Sequence, residues 1–200
     1  MNRKKIKAIL KKTWWFIWED DSIWSWIVNI ILAFVLIKFI VYPGLGFLLG
    51  TNYPIVAVVS SSMEHDGSFD NWWNGQERWY LNQNISKEQF AKFNFKNGFN
   101  KGDIMILYGK KPANIEVGDV IVFKSQRPDP IIHRVVKKWK INGEYYFQTK
   151  GDHNADSIKS VGLDETNINQ DMLLGNAVVR IPLLGYIKIW FAQLIGLFMR

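Results

Sequence analysis

The sequence predicts a mostly β protein: an antiparallel β domain, residues 43–180, behind an N-terminal membrane-spanning helix and ahead of a C-terminal apolar helix. Three observations carry this. Residues 22–41, SIWSWIVNIILAFVLIKFIV, are interrupted only by Asn29 and Lys38, about the length that crosses ~30 Å of hydrocarbon as a helix. Beyond them, short runs rich in Val, Ile and aromatic residues are punctuated by Gly, Asn and Pro, as strands are by tight turns. The last stretch, IPLLGYIKIWFAQLIGLFM from Ile181, has Lys188 as its single charge, so 181–200 is either a second span or a helix lying in the interface.

Residues 1–21 form a basic tail. Arg3, Lys4, Lys5, Lys7, Lys11 and Lys12 are six of the 25 basic residues, with no acid among them. By the positive-inside rule this tail stays in the cytoplasm, and the chain beyond residue 42 lies across the membrane. The anchor, 22–42, follows Asp20, Asp21 and Ser22, which favour helix starts. Trp14, Trp15, Trp18, Trp24 and Trp26 crowd the flank where indoles prefer the lipid–water boundary. A cleaved signal peptide is the competing reading; it would need an unusually long charged leader, and no small-x-small site clearly closes the apolar run. Setting those six aside, the remaining 19 basic residues face all 18 acidic ones. Six of the seven net positive charges therefore belong to that basic cluster, and the nearly neutral remainder gives no reason to expect a nucleic-acid partner. The chain has no cysteine, which excludes disulfides, thiolate metal sites and a cysteine nucleophile.

The expected strands are Pro54 to Ser60, Asp103 to Tyr108, Asp119 to Lys124, Ile131 to Trp139, Glu144 to Thr149 and Met172 to Ile181. Between them, 66–101 is an insertion rich in Trp, Asn and Phe. Ser86-Lys87-Glu88-Gln89 fits a capping box that opens a short helix there. The insertion reads as an aromatic-packed cover over one end of the β domain, with direct substrate contact as the lesser reading.

Candidate chemistry is limited by three histidines, His65, His133 and His153. A serine hydroxyl needs a base to take its proton, and an imidazole suits that task near neutral pH. Ser60 to Met63, in VVSSSMEHD, stands at the end of an apolar strand just past the anchor. Asn142-Gly143 is the preferred pair for a type I′ hairpin, and if the loop is those two residues, Ile141 faces Glu144. Counting outward then sets His133 opposite Asp152, with both side chains on one face; a bulge along the ribbon would break that register. His65, three residues from Ser62, is the rival base, and His153 has no assigned role.

Ser60-x-Ser62-Met63 past an N-terminal anchor, followed in order by KGDIMIL, VGDVIVF, IIHRVV and TKGDHNADS, resembles signal peptidase I of the archaeal and endoplasmic-reticulum type. The match runs on to RIPLLGYI and omits only the 66–101 insertion. The resemblance implies a membrane-bound serine endopeptidase that removes N-terminal signal peptides from secreted preproteins, without metal or cofactor. It implies a location at a cell membrane or an endoplasmic-reticulum-type membrane, with the catalytic domain on the extracytoplasmic side. The partners implied are preproteins and the bilayer, with accessory subunits left open.

Residue by residue, the resemblance implies Ser62 as nucleophile, His133 as base in place of the lysine of bacterial relatives, and Ser60 as a helper in binding the oxyanion. Relatives carry a second aspartate further into the Gly-Asp loop; here Asp156 follows Asp152 by only four residues. The family pattern favours Asp156 as the partner of His133, and the hairpin count favours Asp152. A second departure is His65, which stands where many relatives have proline. The substrate is expected as an added β-strand on an exposed edge, with Val56, Val58 and Met63 lining shallow pockets for its small residues. A non-catalytic, membrane-tethered peptide-binding module and a processing protease for a narrower set of exported substrates are the alternative readings.

Overall fold

The computed structural model describes residues 3–186 and 190, so most of the expected C-terminal helix lies outside the described residues. Two compact units divide the chain, Met1–Leu48 and Leu49–Arg200.

The N-terminal unit is helical. Most of the basic tail is helix α1 (Arg3–Trp18), and α2 (Ile23–Leu36) begins at Ser22, whose extended backbone and side chain accepting from the Ser25 N–H make it the N-cap. A π-helical stretch, Ile37–Val41, leads into α3 (Tyr42–Leu49). Together they give one helix, Ile23–Leu49, of 27 residues, long and apolar enough to cross a membrane. It outruns the expected end at residue 42. Pro43 lacks an N–H and would crowd the carbonyl four residues back; the backbone widens just before it and helical geometry resumes.

In the second unit, β1 (Ile55–Ala57), β2 (Ile104–Tyr108), β3 (Val120–Phe123), β4 (Ile131–Ile141), β5 (Glu144–Lys150), β8 (Ile168–Asn169) and β9 (Leu173–Ile181) form one antiparallel sheet in the order β1-β2-β9-β3-β4-β5-β8. Strands β6 (Lys159–Ser160) and β7 (Leu163–Asp164) make a separate two-stranded ribbon. Asn142 and Gly143 sit at φ of 50° and 93°, the positive values a type I′ turn requires, and Ile141 faces Glu144 as expected.

The register then changes. Lys137 faces Gln148, but Val135 faces Thr149, so Val136 is an extra residue in β4. This bulge corrects the hairpin count: beyond it each β4 residue meets a partner one position earlier in β5, and Arg134 pairs with Lys150. The apolar side chains on either side of the slip go to different cores. Val135 packs with Ile121, Phe123 and Phe147, whereas Val136 joins a cluster of Trp72, Trp73, Tyr80, Ile85 and Phe90.

That second cluster comes from the insertion, where α4 (Phe69–Asn82) is capped by Ser68 and α5 (Lys87–Phe90) by Ser86, whose hydroxyl accepts from the Gln89 N–H. Its rings meet at centroid distances such as 4.9 Å for Trp72–Phe90 and for Tyr80–Phe90, contacts worth about 0.5–1.5 kcal/mol each beyond burial. A third core, with Val58, Met63, Phe99, Met105, Leu107 and Val122, fills the end of the sheet from which the serine loop departs.

Candidate active site

The serine loop begins where β1 stops pairing. The Val58 N–H donates to Asp103 O and the Val58 carbonyl accepts from the Gly102 N–H, after which the chain leaves the sheet into a turn closed by the Glu64 N–H on Ser61 O. Met63 holds this turn down. Its side chain is fully buried and its carbonyl accepts from the Phe99 N–H at 3.0 Å. The close approach of that carbonyl to residue 98, at φ +65°, leaves room only for glycine. With Met63 pinned inward, its neighbour Ser62 stays partly exposed.

His133 rises from β4 opposite Ile121 of β3 and is buried. Its Nε2 lies 2.8 Å from Ser62 Oγ. Its Nδ1 is bonded to the carboxylate of Glu165, a fully buried residue that also accepts from the Thr149 hydroxyl at 2.7 Å and the Ile158 N–H at 2.8 Å. Because donors engage both Glu165 oxygens, the imidazole presents Nδ1–H to the carboxylate and leaves Nε2 free to accept from Ser62. Ser60 Oγ is 3.0 Å from Ser62 Oγ. Gly151 closes the floor: a Cβ there would lie within 2.8 Å of Ser62 O, His133 Nε2 and Asn154 Nδ2 alike. This is a serine–imidazole–carboxylate relay with an unprotected hydroxyl, the arrangement of a hydrolytic nucleophile.

No family model matches the chain. Over 157 residues it is 32% identical to the signal peptidase complex catalytic subunit SEC11 of Schizosaccharomyces pombe, covering 76% of this chain and 74% of the relative. The chain belongs to the family of signal peptidase catalytic subunits. The subunit of the same name from Eremothecium gossypii is 30% identical over 78% of this chain and 75% of its own length; that from Pyricularia oryzae is 26% identical over 82% and 80%.

In this family member neither aspartate of TKGDHNADS touches His133. Asp156 is exposed and accepts from the Trp79 indole N–H at 2.8 Å and the Ser157 N–H at 2.7 Å. Asp152, displaced from His133 by the bulge, is fully buried and accepts from Arg134 Nε and Nη2 at 2.9 and 2.7 Å. It also receives the Tyr80 hydroxyl and pairs with His65 Nε2. Burial alone would raise its pKa, but the Arg134 charge and the hydrogen bonds from His65 and Arg134 outweigh that and hold it well below the usual carboxylate range. Arg134 spends its remaining donors on Asn94 O, Gly118 O and Phe95 O, so it ties β4 to the end of the insertion. His65 is stacked on Trp72 at 3.7 Å and serves this network rather than Ser62. His153 donates its backbone N–H to Ser62 O, while its ring faces exposed Asp66 at 3.6 Å.

A cleft of about 330 Å³ opens onto Ser62 and His133. Its apolar wall is Ala57, Val59, Ile131, Ile132 and Ile158; Ser60 and Asn154 add polar atoms. The expected pocket residues are elsewhere. Val58 and Met63 are buried in the core and Val56 packs against it. Alternation explains this: Val56 and Val58 share the inward face of the strand, so Ala57 and Val59 face the cleft. The Asn154 amide nitrogen is buried and has no hydrogen-bond partner among the described residues. Among the described residues, no group of three or more His, Asp or Glu side chains converges as a metal ion requires.

Sequence reasoning missed Glu165. It reaches His133 because the β6–β7 ribbon folds back, with the Glu165 N–H on Ile158 O and its carbonyl accepting from the Thr149 N–H. Strands of two residues carry no period, and an acid 32 positions from the histidine has no local spacing to mark it.

Proposed function

We propose that Ser62 is the nucleophile of a membrane-bound serine endopeptidase that removes signal peptides from preproteins, that His133 is its general base, and that Glu165 orients the imidazole. The observation that carries the reading is the continuous hydrogen-bonded path from Ser62 Oγ through His133 to buried Glu165. Ser62 Oγ attacks the scissile carbonyl carbon while its proton passes to His133 Nε2. Glu165 balances the imidazolium, which then gives the proton to the leaving amine. Water repeats the sequence on the acyl-enzyme. The Ser60 hydroxyl and the Ser62 N–H are the donors offered to the oxyanion.

The substrate lies extended beside β1, which ends the sheet. The small side chain at its cleavage site enters the cleft beside Ala57 and Val59. Helix Ile23–Leu49 supplies the membrane attachment; by the positive-inside rule the β unit lies on the extracytoplasmic side. Relatives named as subunits of a signal peptidase complex make accessory chains reasonable partners here as well. The test is to reconstitute the full chain in liposomes, add a preprotein whose signal peptide ends Ala-x-Ala, and sequence the new N-terminus. Cleavage after that motif supports the reading; binding without cleavage makes the chain a peptide-binding module instead.

A further inference from the structure

Helix α1 carries an apolar side and a basic side. Ile6, Ile9, Leu10, Thr13 and Ile17 recur at helical spacing along one side, joined by Phe16 with Lys5 at its border, while Lys7, Lys11 and Lys12 share the other with Trp15 and Trp18. Ile9 and Leu10 are 56% and 63% exposed. No acid occurs before Glu19.

The join to α2 is specific. Ser25 Oγ donates to Phe16 O at 2.6 Å, and Asn29 Nδ2 donates to Ile17 O at 2.8 Å. Two carbonyls at the end of α1, which no helical N–H could reach, are thereby satisfied by side chains from α2. Polar side chains within an apolar span are costly unless they find partners; here the partners are the last turn of α1. Asn29, an interruption in the anchor sequence, thus becomes the residue that fastens the basic helix to the first turns of the span. The extended backbone at Ser22 keeps α1 from continuing the axis of α2.

We infer that α1 is an interfacial helix that docks on anionic lipid headgroups, with Ile6, Ile9, Leu10 and Phe16 sunk among the acyl chains and the lysines at the phosphates. Its apolar side fits the boundary layer and its charge selects anionic lipid, an attraction that salt weakens. Its attachment to the span holds it at that depth.

The natural absence of cysteine permits single-site spin labelling of the full chain. Ile9→Cys and Ala8→Cys place labels about 1.5 Å apart along α1 and about 100° apart around it, one on the apolar side and one among the lysines, and Val35→Cys is the control within the span. In nanodiscs containing phosphatidylglycerol, the label at 9 should collide with oxygen several-fold more than with a water-soluble nickel chelate, and the label at 8 should show the reverse. The contrast should collapse in pure phosphatidylcholine or at high salt. Equal nickel access at 8 and 9 would overturn the proposal. So would a contrast indifferent to lipid charge, or shielding of position 9 from oxygen as well as nickel, which marks a protein partner. Nickel access at 35 would sink the anchor reading and the proposal together.

Discussion

Replacing Glu165 with Gln changes one atom at the base of the relay. The buried carboxylate accepts from His133, from the Thr149 hydroxyl and from the Ile158 N–H. An amide can occupy the same space in two ways. With its NH₂ toward His133 it forces the imidazole proton onto Nε2, which then faces Ser62 as a donor and cannot act as a base. With its carbonyl toward His133 it keeps the tautomer but sets NH₂ against the Ile158 N–H, leaving buried donors unpaired at about 1–3 kcal/mol. In both, the imidazolium loses its countercharge. The expected loss in kcat is about 10²–10⁴-fold, or roughly 3–5.5 kcal/mol of barrier, with KM little changed because no substrate contact is lost. Steady-state cleavage of an Ala-x-Ala preprotein by liposome-reconstituted protein measures it, with thermal unfolding recorded alongside. Asp156→Asn is the comparison and should stay near the wild-type rate, since among the described residues Asp156 accepts hydrogen bonds from Trp79 and Ser157 and not from His133. Near-normal turnover by Glu165→Gln together with loss in Asp156→Asn would refute the assignment.

Asp152→Asn should cost about 3–5 kcal/mol of stability, because it strips the countercharge from a fully buried Arg134. The depressed folded pKa of Asp152 means that its stabilisation is present above the ordinary carboxylate value and is lost as pH falls below about 4. Denaturant titrations between pH 6 and 2 should therefore slope less in the variant, and an unchanged slope counts against this role. Burial lowers the pKa of Lys150 to about 8 from 10.5. The unfolded chain then binds more protons between those values, so stability should rise across that window by about 3 kcal/mol in the wild type and not in Lys150→Met; equal pH slopes contradict it. Ala57→Trp should fill the cleft and raise KM about tenfold or more, equivalent to at least ~1.4 kcal/mol of binding, while an unaltered KM would remove the cleft as the substrate site.

The boundary between what the chain reveals and what it conceals runs through β4 and β5. Turn chemistry at Asn142-Gly143 was legible because both positions need positive φ, and the pairing counted from it holds as far as Lys137 with Gln148. It fails at Val136, whose neighbour-dependent burial against Trp72 and Phe90 has no local signature. That single bulge moves Asp152 from His133 to Arg134. Ser62 and His133 were accessible because the chain has few histidines and because the serines end an apolar strand. Glu165 was hidden behind strands of two residues. The inward face of β1 was misjudged for a simpler reason: alternation tells which residues share a face, but not which face the core claims.

The most direct test of the central claim is the cleavage rate of Ser62→Ala in the reconstituted full chain, with folding checked by thermal unfolding. Among the described residues the Ser62 side chain hydrogen-bonds with Ser60 and His133 alone, so the variant should fold as the wild type does. It should still bind the preprotein, and processing should fall by at least about 10³-fold. A folded Ser62→Ala protein that still cleaves after Ala-x-Ala at a comparable rate would contradict the account.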